Sequence, residues 1–239
     1  MTNPDADENP LLEPWTGAFE APPFDRFEPR HFRPAFEAAL SQARAEIDVI
    51  AADSAPPSFA STVEALERSG RRLDRVASVF FNLTGAHAND ELQAIEREIA
   101  PVLARHRSET YLNEALFARI DALKAQEAKL GLSPEQARVL KRYHLDFTRA
   151  GAAAAPEAKA RLAAIAERLA TLAAQFGQNV LADEKDWLLL LDTSDLDGLP
   201  DFFTTSAARI AADRGHPGKY AVTLSRSSIE PFLQFSARR

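Results

Sequence analysis

The chain has no cysteine and a single methionine among its 239 residues. Disulfides, thiolate metal sites and a cysteine nucleophile are therefore excluded, since each needs a thiol sulfur. Positive charge is also short: 28 Lys and Arg stand against 35 Asp and Glu, for a formal charge of -7. Neutralising a phosphate backbone takes clustered Lys and Arg, so nucleic acid is not an expected partner. Long apolar runs are missing as well. The longest strongly apolar stretch is Trp187-Leu188-Leu189-Leu190-Leu191, far below the ~20 residues a helix needs to span a bilayer, and no membrane is expected as a partner. The opening from Met1 to Pro14 is polar and acidic, without the basic and apolar regions of a secretory signal, so a cytoplasmic location is expected.

The motifs of common chemistries are missing too. The histidines are His31, His87, His106, His144 and His216, and no two are four residues apart. Zinc needs ligands converging at about 2 Å, which a helix supplies through that spacing, so these residues read as packing, turn or surface positions. No Gly-x-Gly-x-x-Gly, no phosphate loop and no Gly-x-Ser-x-Gly elbow is present, which leaves nucleotide and serine-hydrolase readings without support. Asp195, Asp197 and Gly198 resemble part of a calcium loop, but that register puts Thr193 at position one and Thr204 at position twelve, where a Glu is required. Asp192, Asp195, Asp197 and Asp201 are more simply turn and N-cap residues. The acidic groups Glu96 with Glu98 and Asp183, Glu184 with Asp186 read as solvated faces, as does the basic cluster of Arg68, Arg71, Arg72 and Arg75. No catalytic, cofactor-binding or metal-ligating residue is expected in this chain.

What is present is a globular composition, 46% hydrophobic, with mainly helical patterning. Prolines at 4, 10, 14, 22, 23 and 29 make residues 1–30 an extended arm. Its aromatics Trp15, Phe19, Phe24 and Phe27 are costly to leave in water, by ~1.5–3 kcal/mol for each large apolar side chain, so the arm is expected to pack on the helical body. A helical domain over 31–186 follows. Its first helix carries Phe36, Leu40, Ile47 and Ile50 on one face, with Pro34 in the first turn. Ser61 and Glu64 have capping-box spacing for a second helix ending near Gly70. A third carries Leu73, Val76, Phe80 and Leu83. Asn89 caps a fourth, where Pro101 predicts a kink, and Asn113 and Ser133 cap two more, the latter with Pro134 and Gln136 completing a capping box. From Pro156 an Ala-rich stretch places Leu162, Ile165, Leu169, Leu172, Phe176 and Val180 three and four apart. That pattern predicts one helix to Ala182, roughly 40 Å long at 1.5 Å per residue, its stripe buried against neighbouring helices.

Residues 187–239 change character. Trp187 to Leu191 and Tyr220 to Leu224 read as short strands, the first buried, flanking a helix-like segment from Leu199 to Asp213. The link between them is long enough for either strand orientation. Ser227 to Arg239 has a helical pattern with no terminator, which suggests the start of a truncated helix with an exposed apolar patch near Ile229 to Phe235.

Several short segments recur in one order. Asn9-Pro10-Leu11-Leu12, Phe32-Arg33-Pro34-Ala35-Phe36, Tyr111-Leu112-Asn113, Phe176-Gly177-Gln178-Asn179-Val180-Leu181, Gly198-Leu199-Pro200, Thr223-Leu224 and Pro231-Phe232-Leu233 together resemble the opening of the thimet oligopeptidase family of zinc metallopeptidases, which includes oligopeptidase A and peptidyl-dipeptidase. The resemblance implies a mainly helical protein built as two halves around a deep channel, of which this chain is the N-terminal portion. In that family a His-Glu-x-x-His motif and a later Glu bind zinc, which activates water against the peptide carbonyl. None of those residues has a counterpart here. The resemblance thus implies that zinc and short peptides belong to the parent enzyme, and that this portion supplies channel wall and needs a missing C-terminal catalytic portion. The alternative is a stand-alone helical module that binds peptides or proteins without catalysis.

Overall fold

The computed structural model describes residues 9–238; Pro4 and the first eight positions of the expected arm lie outside them. The fold is mainly helical with a small sheet near the C-terminus. It divides into two compact units, which part between Ala174 and Gln175.

The first unit is a helical bundle entered by the arm. Helix α1 spans Phe32–Ala52 and buries Phe32, Ala35, Phe36, Ala39, Leu40, Ala43, Ile47 and Ile50 on one face. The upper part of that face meets α3 (Arg71–Ala86) and α4 (Asp90–Tyr111) in one cluster, where Phe80 stands edge-on to Phe32 and Phe36 at 5.1 and 5.3 Å. Ile47 and Ile50 belong to a second cluster with α5 (Glu114–Ala125) and α6 (Pro134–Ala150), through Leu116, Ile120, Leu123, Leu140 and Phe147. Edge-on aromatic pairs such as those of Phe80 add roughly 0.5–1.5 kcal/mol beyond their burial.

The arm packs on the first cluster over part of its described length. Asn9 is buried, its side-chain amide donating to the His31 carbonyl at 2.7 Å while its oxygen accepts from the Leu11 N–H. Leu11 is fully enclosed, and Trp15 and Phe27 lie half-buried on the first cluster. Phe24 is exposed and Phe19 wholly so, which corrects the expectation that all four aromatics find cover.

Capping matches the sequence with one shift. Asn89, Asn113 and Ser133 accept from the N–H groups of Leu92, Leu116 and Gln136. Before α2 (Ala65–Arg68), however, the N-cap is Ser58. Its hydroxyl accepts from the Ser61 N–H at 3.0 Å and Ser61 reciprocates at 3.2 Å. Ser58 is the first residue past Pro56 and Pro57 and has the extended backbone a cap requires. A π-helical turn, Phe59–Glu64, leads from that cap into α2. Gly70 adopts the expected left-handed conformation, and α4 runs through Pro101 as one helix.

Helix α7 spans Pro156–Asp186 and departs most from expectation. Ala174 is its one buried residue. Leu162, Ile165, Leu169, Leu172, Phe176, Val180 and Leu181 are all exposed, Leu169 at 60% and Phe176 at 71%. The two core clusters that α1 to α6 form take no residue from α7. In the first unit its side-chain ties are ionic: Arg105 grips Glu167 with two bonds of 3.0 and 2.9 Å, and Lys159 reaches Glu114 at 2.7 Å.

In the second unit, β1 (Leu189–Leu191) pairs antiparallel with β2 (Tyr220–Val222), Leu190 opposite Ala221. Only Leu191 of β1 is buried, and Trp187 lies outside the strand, so the expected buried strand is shorter and half-solvated. Helix α8 (Asp201–Asp213) contributes Phe203 and Ala207 to a small core with Leu191 and Val222. Helix α9 (Arg226–Phe235) sets Ile229 and Phe232 against it and leaves Leu233 and Phe235 exposed. The helix closes at Phe235, after which the Ala237 N–H donates to the Asp197 carbonyl. Among the described residues no helix is long and apolar enough to cross a membrane.

Candidate functional site

The five histidines are placed apart, each in its own local role. His31 accepts from the Glu28 N–H through Nδ1 at 3.1 Å. His87 ends α3, its N–H donating to the Leu83 carbonyl. His144 meets the Asp121 carboxylate at 2.9 Å. His216 lies in the turn after α8, its N–H donating to the Ala211 carbonyl at 2.8 Å. His106 is half-buried on α4, and its Nδ1 is enclosed without a hydrogen-bond partner. Burial first, and then the nearby Arg44 charge, hold its ionisation below the ordinary histidine range. Among the described residues no three His, Asp or Glu side chains gather where they could hold a metal.

The acidic loop of the second unit is committed to structure. Asp192 caps the turn Thr193–Asp195 in a capping box with Asp195, whose carboxylate accepts from the Asp192 N–H at 2.8 Å. Lys219 pairs with Asp192 and Arg238 with Asp195. The Asp192 N–H, followed by Arg238, holds the Asp195 carboxyl below its usual range. Gly198 has φ +83°, and a Cβ there would stand 2.4 Å from the Phe235 carbonyl oxygen. Asp201 opens the first turn of α8 and is not its cap, which is Pro200. The loop is a folded joint between β1 and α8.

Some of the other charged groups are similarly engaged. Glu98 accepts two bonds from Arg33, at 2.7 and 2.9 Å, and that partner lowers its ionisation. Arg68 pairs with Glu64. Arg75 lies over the Trp15 ring at 4.8 Å and donates to the Leu11 carbonyl at 2.9 Å, tying the arm to α3. Arg214 donates to the Lys185 carbonyl at 2.8 Å.

Two of the concave surfaces that border α4 in the first unit hold tyrosines. One, of about 310 Å³, reaches from Ile47 and Leu73 past His106 to Tyr143. Burial, and then a hydrogen bond to Glu67, keep the Tyr143 phenol above its ordinary ionisation range. The other, of about 480 Å³, runs between α4, α6 and the start of α7 and carries Arg107, Tyr111, Arg142, Asp146 and Arg149. Of these, the sequence singles out Tyr111 alone, within the segment Tyr111-Leu112-Asn113, and none as a site residue. The available signal was the spacing Arg142-Asp146-Arg149 and Arg107-Tyr111, which puts each set on one helix face.

The segments carrying the family resemblance are largely scaffold. Asn9 and Leu11 anchor the arm, Phe32, Ala35 and Phe36 are core, Asn113 is a cap, and the Thr223 N–H donates to the Ser228 hydroxyl at 2.9 Å. No protein-family model matches the chain. Among curated proteins it is similar to a dipeptidyl carboxypeptidase of Salmonella typhimurium, 42% identical over 94% of this chain and 33% of the relative. It is 39% identical to that of Escherichia coli over the same shares. Oligopeptidase A of Salmonella typhimurium is 27% identical over 95% of this chain, again 33% of the relative. The chain thus spans about a third of the length of the curated peptidases to which it is homologous.

Proposed function

We propose that this chain is the N-terminal portion of a zinc-dependent peptidase that hydrolyses short peptides in the cytoplasm. In this reading it supplies wall to the substrate channel, the zinc site belongs to a C-terminal catalytic portion, and the chain alone is inactive. The observation that carries the reading is the 42% identity over 94% of the chain to one third of a dipeptidyl carboxypeptidase. The exposed stripe of α7 supports it, because a helix with a continuous apolar face is made to be covered.

Among the described residues the side chains do not fit zinc. A catalytic site needs three protein ligands within about 2 Å of the metal, whereas the histidines are dispersed and the acidic loop is tied to its own backbone, Lys219 and Arg238. No step of peptide hydrolysis is therefore assigned to a residue here.

The test joins chemistry to reconstitution. The purified chain is expected to hold no stoichiometric zinc and to leave a quenched fluorogenic peptide intact. Mixed with a Salmonella typhimurium dipeptidyl carboxypeptidase lacking the aligned third, it is expected to restore cleavage that a chelator abolishes. Tightly bound zinc with chelator-sensitive cleavage by the chain alone would overturn the reading. So would a gene whose frame stops after Arg239 with no His-Glu-x-x-His sequence to follow.

A further inference from the structure

The 480 Å³ groove between α4, α6 and the start of α7 has a charge opposite to that of the chain. The protein carries -7 overall, yet the charged side chains facing this groove are three arginines and one aspartate. Arg142 and Asp146 pair with each other at 2.9 Å, one turn apart on α6. Arg107 lies over the ring of Tyr111 at 5.3 Å, a contact that leaves its charge uncompensated. Arg149 forms no ion pair among the described residues. Among the described residues the groove therefore keeps two guanidinium groups without an ion-pair partner, on two different helices.

The remaining lining complements them. Ser108 and Tyr111 supply hydroxyls, while Leu112, Leu162 and Ala166 make an apolar wall. Small-ligand sites combine an apolar surface of this size with a few polar groups that fix orientation. Guanidinium forks match the planar geometry of a carboxylate. We infer that this groove binds a carboxylate carried on a short peptide, the two free arginines holding the anion and the α7 wall taking a neighbouring side chain. The identity of the ligand as a peptide rests on the peptidase reading above; the anion preference rests on the groove alone.

The test is titration of the purified 239-residue chain, by calorimetry or NMR, with acetyl-Ala-Ala-Phe as the free acid, with the same peptide as its C-terminal amide, and with an amide in which the middle alanine is aspartate. Inorganic phosphate is the fourth probe. The inference expects at least one carboxylate-bearing peptide to bind tenfold or more tightly than the neutral amide and than phosphate. Preference for the free acid assigns the terminal carboxylate, and preference for the aspartyl amide assigns an acidic side chain. In Arg107→Gln/Arg149→Gln that preference should fall at least tenfold, whereas Arg209→Gln, in the second unit, should leave it unchanged. Both replaced side chains are exposed, and an unaltered melting midpoint would verify that the fold survives. Equal binding of acid and amides, phosphate binding as tightly as any peptide, or an unaffected double variant would each overturn it. The zinc and cleavage measurements above are independent of this groove, so either proposal can fail alone.

Discussion

Replacing Arg119 by alanine should be among the most damaging single changes in the first unit. Its side chain is 7% exposed. One guanidinium nitrogen donates to the carbonyls of Asp53 and Ala55, and the other to the Asp53 carboxylate at 2.8 Å and the Ser61 hydroxyl at 3.3 Å. A single residue of α5 thus holds the loop between α1 and the π-helical turn. Breaking a buried ion pair from one side costs ~3–5 kcal/mol, because the remaining partner keeps its desolvation without compensation. Asp53 retains 32% side-chain exposure, so water recovers part of the loss and the lower end, ~3 kcal/mol, is expected. Lysine keeps the charge but replaces the planar fork with a point donor, and should cost about 1–2 kcal/mol. Urea denaturation reads both numbers cleanly. The two tryptophans fall in different units, Trp15 in the first and Trp187 in the second, so a Trp187→Phe background makes fluorescence report the first unit alone. A change below ~0.5 kcal/mol for Arg119→Ala would refute the argument that this side chain carries the loop.

Gly151 ends α6 with φ +99°, and a Cβ there would lie 2.6 Å from Leu162 Cδ1; Gly151→Ala should cost about 2–3 kcal/mol, and a Leu162→Ala background should remove the steric share. Leu169→Gln, at a position 60% exposed, should change the unfolding free energy read from urea denaturation by no more than ~0.5 kcal/mol; a large loss would mean the stripe is covered within this chain. Glu167 and Glu114 are held below the usual carboxylate range by hydrogen bonds from Arg105 and Lys159. Their contribution is present above the ordinary carboxylate pKa and lost as pH falls through the lowered values, so hydrogen exchange in the first half of α7, corrected for intrinsic rates, should quicken in acid and in high salt, and Glu167→Gln should remove most of that response. His106 is depressed by burial; its stabilising neutrality is complete above the ordinary histidine value and is lost as pH falls through the lowered one. Stability should therefore decline on moving from pH 7.5 to 5.5, and less steeply in His106→Gln, as measured by denaturation at the two pH values.

Legibility followed the range of the interactions. Caps at Asn89, Asn113 and Ser133 could be read because each is settled within four residues. The core face of α1 could be read because its period is that of the helix itself. The cap that spacing places at Ser61 is held by Ser58, since the preceding prolines shift the first free extended position to Ser58. The burial of α7 could not be read, because periodicity says that a face is apolar and not what lies opposite it. The arginine groove was hidden for a related reason. Arg107 and Arg149 are 42 residues apart by their numbering, and only the packing of α4 beside α6 brings them to one surface. The enclosed, unpartnered nitrogen of His106 could not be read from spacing.

The solvated face of α7 has a consequence for how this sequence tolerates change. Within the isolated fold, Leu169 and Phe176 are cheap to replace, while Phe36 and Phe80 are not. Folding of this chain alone would accept polar residues at such positions, yet all seven are aliphatic or aromatic. In the peptidase proposed above, a reason to keep them apolar would come from outside these 239 residues. Libraries of variants scored once for folding of this chain and once for activity of a complete peptidase should disagree more along α7 than along α1.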